Sequence, residues 1–164
     1  MAGNKEQYVW VLLRIWMAWI FLWSFFDKLL GLGFSTSADK AWLAGGSPTS
    51  GFLQFATHGP FASFYQGLAE KPLVDWLYMA GLLFVGTTLM LGILIKLGGS
   101  VGILMLFLFY TAGFLPPENN IFLDQHVVYI TVIIGLIIVR AGQWFGLGKR
   151  WTSTALVKKY RFLE

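Results

Sequence analysis

The residues from Tyr8 to Lys28, YVWVLLRIWMAWIFLWSFFDK, leave this chain few options. From Tyr8 to Phe26 the run carries a single charge, Arg14, and it then closes on Asp27 and Lys28. At a helical rise of about 1.5 Å per residue it is roughly 28 Å long, the thickness of a bilayer's hydrocarbon core. Within lipid only a helix pairs all of its own backbone groups, so the run predicts a membrane-spanning helix. Trp10 and Trp23 fall near its two ends, where indoles anchor at the membrane interfaces. Trp16 and Trp19 fall deeper, which calls for other helices or a flat ligand against them.

Composition agrees with that reading. Hydrophobic residues make up 57% of the chain and charged residues only 12%, about half the charge of a typical soluble domain. The basic residues are scattered rather than gathered on one soluble face, which excludes a nucleic-acid binder. There is no cysteine, so the chain supplies no thiolate, disulfide or iron–sulfur ligand. The first apolar run is too long for a cleaved leader and no small-x-small site follows it, so the helix is expected to be retained.

The expected fold is all-α: a polytopic membrane protein, a bundle of four transmembrane helices with a partly helical outer cap. The spans are predicted at residues 8–27, 74–95, 98–115 and 126–144, as one membrane domain over 1–164. Lys96 and Leu97 form the short turn between the second and third spans, which makes those two an antiparallel hairpin. Glycines 81, 86, 92, 99 and 102 lie in or beside it, as small residues do where membrane helices approach closely.

Lys and Arg placement sets the orientation. With both termini inside, Lys5, Arg14, Lys96, Arg140, Lys149, Arg150, Lys158, Lys159 and Arg161 are inner, and Lys28, Lys40 and Lys71 outer. Nine basic residues against three predict cytoplasmic termini, in the plasma membrane of a prokaryote. The outer cap is residues 28–73. In it, 60–69 reads as a helix with Pro60 first and Phe61, Phe64, Tyr65 and Leu68 on one face, turned to the bundle. STSADKAWLAGG reads as a second short helix, capped by Ser35, Thr36 or Ser37 and ended by Gly45-Gly46. The basic tail, 145–164, reads as amphipathic through Leu156, Tyr160 and Leu163, lying on an anionic inner leaflet.

Charges in or at the rim of a span each need a reason. Arg14 and Arg140 either snorkel to the inner interface or face the bundle and hold an anionic or carbonyl group. Asp27-Lys28 ends the first span and Asp124-Gln125-His126 opens the last, which brings them to one membrane face. A carboxylate beside a histidine fixes its tautomer, as a proton-transfer site requires. The structural alternative is an interfacial Asp–Lys pair and an Asp124 that caps a helix. His58, ahead of Gly59-Pro60, reads as a turn residue. Two histidines without HxxH or HExxH spacing predict no metal site.

Four stretches together resemble a known family: an Arg within a first span that ends Phe-Asp-Lys-Leu, the segment WLAGGSPTSGFL, the glycine-punctuated GLLFVGTTLMLGILIKLGG, and N-x-x-x-D-x-H-x-x-Y at the last span. The pattern is similar to the DoxX/DoxD group of small four-span membrane proteins over roughly residues 10–150. That resemblance implies the membrane subunit of a thiosulfate:quinone oxidoreductase, with Arg14, Asp27, Lys28, Asn120, Asp124, His126 and Tyr129 as a polar site. Within it Asp27, Lys28, Asp124 and His126 are the expected catalytic groups. Arg14, Trp16, Trp19, Trp23, Asn120 and Tyr129 are the expected quinone contacts. The expected partners are lipid, quinone, and a second subunit or further copies of the chain.

A quinone head is flat with two carbonyls, so it suits aromatic walls such as Trp16, Trp19, Trp23 and Phe26 and a proton donor such as His126 or Lys28. Thiosulfate is a dianion that Lys28 and Lys40 would attract and the outer acids would repel. The competing class is a non-catalytic anchor or assembly subunit, whose polar rim residues tie helices to the cap.

Overall fold

A computed structural model describes residues 3–117 and 121–163. The described residues are helical with no strand. Three helices are long and apolar enough to cross a membrane. The first, α1 (Gly3–Leu30), crosses as Lys5–Leu30, 26 residues or about 39 Å. Two short helices follow, α2 (Ser50–Phe55) and α3 (Ala62–Gln66), and then the other two long ones, α4 (Pro72–Leu91) and α5 (Ile95–Gly113). The most apolar stretches of these three are only 33%, 44% and 39% buried. Leu12, Leu77, Leu83, Leu104 and Phe107 stand on the remainder, exposed. Helices apolar all round with an outward apolar surface belong in lipid, so this is a membrane protein.

The core forms where the helices meet. Met17, Ala18 and Phe21 of α1 pack with Met79, Leu82, Val85 and Leu89 of α4, Leu106 of α5, and Ile133 and Leu136 of the next helix, α6 (Gln125–Ile138). Glycine permits the close approach: a Cβ on Gly86 would lie 2.6 Å from Leu22, and one on Gly81 2.6 Å from the Met105 sulfur. Dispersion between close-packed helices replaces the hydrophobic drive that lipid removes.

Several expectations are corrected. The turn of the hairpin is Gly92–Leu94 rather than Lys96-Leu97. Gly92 (φ 73°) and Leu94 (φ 52°) take left-handed backbone there, and Lys96 lies in the first turn of α5. The fourth apolar helix is also shorter than residues 126–144. α6 has 14 residues, about 21 Å, because Arg140 turns left-handed (φ 52°) and a 3-10 turn, Ala141–Gln143, follows.

The cap differs as well. Residues 60–69 form only the five-residue α3, and Phe64 (63%) and Phe61 (47%) face outward. Tyr65 is the buried residue of the four, and Leu68 packs partly buried against the same cluster, as expected. Tyr65 is buried with Leu53 and Ala112, and its hydroxyl pairs with Thr111 Oγ1 at 2.6 Å. Apolar packing and this one polar pairing together set the phase of a helix too short for four apolar residues to share a face. The STSADKAWLAGG stretch forms two 3-10 turns, Ala38–Lys40 and Trp42–Ala44, and Gly45 ends the second with φ 91°. In the tail, α7 (Gly148–Thr152) and α8 (Ala155–Lys159) turn Val157 inward, while Leu156 and Tyr160 are exposed. Trp151 Nε1 donates to Leu163 O at 2.7 Å and closes the tail on itself.

Candidate functional site

Arg14 does not snorkel. Its side chain is fully buried, and the guanidinium donates to the carbonyls of Leu89 (3.3 Å), Trp144 (3.4 Å) and Phe145 (2.9 Å). Leu89 is in the last turn of α4, where carbonyls without intrahelical partners concentrate partial negative charge. Gly92 and Gly146 clear the space: a Cβ on Gly92 would stand 2.1 Å from Nη1 and one on Gly146 2.8 Å. Its Nε has no hydrogen-bond partner among the described residues. Arg14 thus ties α1 to the end of α4 and to the segment after the 3-10 turn Ala141–Gln143, and the group it holds is backbone carbonyl.

Asp27, near the other end of α1, is almost completely buried. Its carboxylate accepts from Phe34 N (3.2 Å), Ser35 N (3.0 Å) and Ser35 Oγ (2.7 Å). It closes the turn by which the chain leaves α1. Asp75, in the first turn of α4, does the same for a later stretch, accepting from Ser47 Oγ (2.8 Å), Thr49 N (3.3 Å) and Thr49 Oγ1 (2.6 Å). Asp75 is a tether that the sequence pattern does not single out. Its one signal was an acid at a helix start with hydroxyl residues upstream. Half-buried Lys28 makes no hydrogen bond among the described residues.

The expected Asp27–Lys28–His126 cluster is therefore not formed by hydrogen bonds: each acid engages its own neighbourhood. Asp124 is the partner of His126. Its Oδ2 meets His126 Nδ1 in direct hydrogen-bond contact, and its Oδ1 accepts from His126 N (3.1 Å) and Val127 N (3.3 Å). One carboxylate thus caps α6 and orients the imidazole, so the cap and the pair coexist. The ring stacks on Phe109 (centroids 6.0 Å apart, planes 14° apart) and leans on Phe114 (4.5 Å).

Beside this pair opens a cleft of about 370 Å³. Phe114, Pro116, Pro117 and Leu123 give it apolar walls, and His58, Asp124 and Gln125 give it polar edges. Asp124 is among the residues that line the cleft, and its partner His126 is not. His58 is more than a turn residue here: its backbone N–H is fixed to Ala112 O (3.1 Å) while its exposed ring lines the opening. No periodicity in the sequence pointed to these walls, because they come from an irregular connection between α5 and α6.

The expected aromatic contacts lie elsewhere. Trp16 (59%) and Trp19 (52%) are exposed on the outward face of α1, and no helix among the described residues covers them. Trp23 is half-buried between Trp19 (5.6 Å) and the edge of Phe34 (4.9 Å), and Phe26 is exposed. Tyr129 packs against the main core. Asn120 lies outside the described residues. Among the described residues no three His, Asp or Glu groups converge as a metal would require. The chain matches no protein-family model, and no curated protein or solved structure matches it.

Proposed function

We propose that the protein is a membrane subunit of a quinone-linked oxidoreductase of the DoxX/DoxD-like kind, with its ligand cleft at Asp124. The carrying observation is the Asp124–His126 pair beside a cleft of about 370 Å³ that is apolar on its walls and polar at its edges. That volume falls in the range of small-molecule pockets, and a flat ring with polar ends suits such a lining. In this reading α6 is a short fourth crossing, and both termini are cytoplasmic in a prokaryotic plasma membrane. The exposed Trp16–Trp19 face is where a second subunit or a further copy packs.

Reduction of a quinone consumes two electrons and two protons. Two thiosulfate ions joined through a new sulfur–sulfur bond release two electrons, so this donor class balances the step. The chain's own part is proton delivery: Asp124, in the cleft lining, passes a proton to a quinone oxygen, and His126 Nδ1 resupplies the carboxylate. Asp27 and Arg14 have no step in this scheme; they hold the backbone.

A second reading, a non-catalytic anchor or assembly subunit, is favoured by those same tethers. Arg14, Asp27 and Asp75 all bind the chain's own backbone or hydroxyl groups. Extraction of quinone from protein purified in mild detergent separates the two. Stoichiometric quinone that is lost in Asp124→Asn supports the redox reading. Absence of quinone from the wild-type protein, with no binding on addition, leaves the anchor.

A further inference from the structure

His58 reaches the cleft from a different part of the chain than Asp124, and backbone contacts hold it there. Its N–H donates to Ala112 O at 3.1 Å. A Cβ on Gly113 would stand 2.9 Å from Ala56 O, and one on Gly59 would overlap Leu115 O, so residues 56–59 lie directly against 112–115. None of these contacts uses the imidazole. Its Nδ1 is 3.5 Å from Ala56 O, too long to fix a tautomer. Its Nε2 makes no hydrogen bond among the described residues.

Quinone oxygens accept hydrogen bonds and donate none. An ionised carboxylate is likewise an acceptor, and the oxygens of Asp124 already receive His126 N, Val127 N and the His126 ring. Asp124 therefore serves one oxygen of a quinone, through the proton it delivers, and the other oxygen needs a donor elsewhere in the lining. The lining side chains that can donate are His58 and Gln125. Gln125 follows Asp124 directly at the start of α6, so His58 is the donor that a separate segment presents. We propose, resting on the reading of this cleft as a quinone site, that His58 Nε2 donates to the second oxygen. The cleft thereby selects para-quinones, rings with an acceptor oxygen at each end, over rings that carry one oxygen.

The test compares the affinity of the full chain in detergent for duroquinone and for its one-oxygen analogue, tetramethylphenol, by titration calorimetry. The phenol keeps the methylated ring, and its single hydroxyl is a donor that suits the Asp124 carboxylate. His58→Phe leaves the backbone bond to Ala112 in place. It should weaken duroquinone about five-fold, the worth of one ordinary hydrogen bond, and leave the phenol unchanged. His58→Gln, which keeps a donor, should hold duroquinone nearly as the wild type does. Equal weakening of both rings by His58→Phe, no weakening of duroquinone, or the same loss in His58→Gln overturns the role of His58. Duroquinone binding by the wild type, lost in Asp124→Asn, would in each of those cases keep the quinone reading. A wild-type protein that binds no duroquinone ends that reading, and this inference with it.

Discussion

Arg14 Nη2 donates to the carbonyl oxygen of Phe145 at 2.9 Å, joining the first helix to a residue 131 positions later. With Leu89 and Trp144 on the same guanidinium, one side chain holds three separate parts of the chain at one end of the bundle. Carbonyl ends in place of a carboxylate explain how a cation can sit there without a partner acid. Arg14→Met leaves the buried Leu89 carbonyl and the part-buried Trp144 and Phe145 carbonyls without their donor. It should cost about 2–5 kcal/mol, read as a large drop in melting temperature by size-exclusion after heating in detergent. Arg14→Lys should recover only part of the loss, since an ammonium cannot fork between separate carbonyls.

Gly92 tests the same junction from the other side. Its φ of 73° disfavours any side chain, and a Cβ there would stand 2.1 Å from Arg14 Nη1. Gly92→Ala should therefore destabilise by more than the roughly 1 kcal/mol usual for a left-handed alanine. Combined with Arg14→Met it should be less than additive, because the steric part vanishes with the guanidinium. Full additivity in a double-mutant cycle would mean that the two do not meet.

The long helices were readable because lipid imposes a length and a composition that few other constraints override. Ends and partners were not. The end of α6 depends on Arg140 adopting a left-handed turn, and nothing in IIVRAGQW marks that residue over its neighbours. Asp27 was readable as a costly rim charge, but its choice of Ser35 over Lys28 or His126 depends on how the chain folds back after α1. The aspartate-then-histidine spacing at 124–126 was local, and so the pair and the cap could both be foreseen. The cleft beside it could not, since its walls come from His58 and from the irregular stretch after α5.

Tyr65 and Phe64 differ by one position and by their role. Tyr65→Phe removes the hydroxyl bonded to Thr111 and should cost about 1 kcal/mol. Phe64→Ser, at a site 63% exposed, should stay within about 0.5 kcal/mol. Thermal shifts of the two variants side by side decide it, and a larger loss at Phe64 would show that α3 faces the other way.

Asp27 and His126 should behave as independent sites. Asp27→Asn weakens the turn at Phe34–Ser35, so proteolysis within residues 31–37 should quicken while bound quinone is unaffected. Paired with His126→Gln, its stability effects should add within about 0.5 kcal/mol. Strong coupling between them would restore a single shared site.

The sharpest separation of chemistry from structure is at Asp124. Asparagine is as good a helix cap as aspartate, so Asp124→Asn keeps the bonds from His126 N and Val127 N while removing the carboxylate that pairs with His126 Nδ1. Stability should change by under about 1 kcal/mol, but quinone-dependent turnover should fall about 10²–10⁴-fold, the usual worth of general acid–base help. His126→Gln should fall in the same range, because the two act in series. The double variant should be little worse than either single one, as groups that work as a unit are not additive. Alanine at 124 is the contrasting control: it removes the cap as well, so melting temperature and turnover should drop together. Turnover that follows only the amount of folded protein across all four variants would make the pair a helix cap and nothing more.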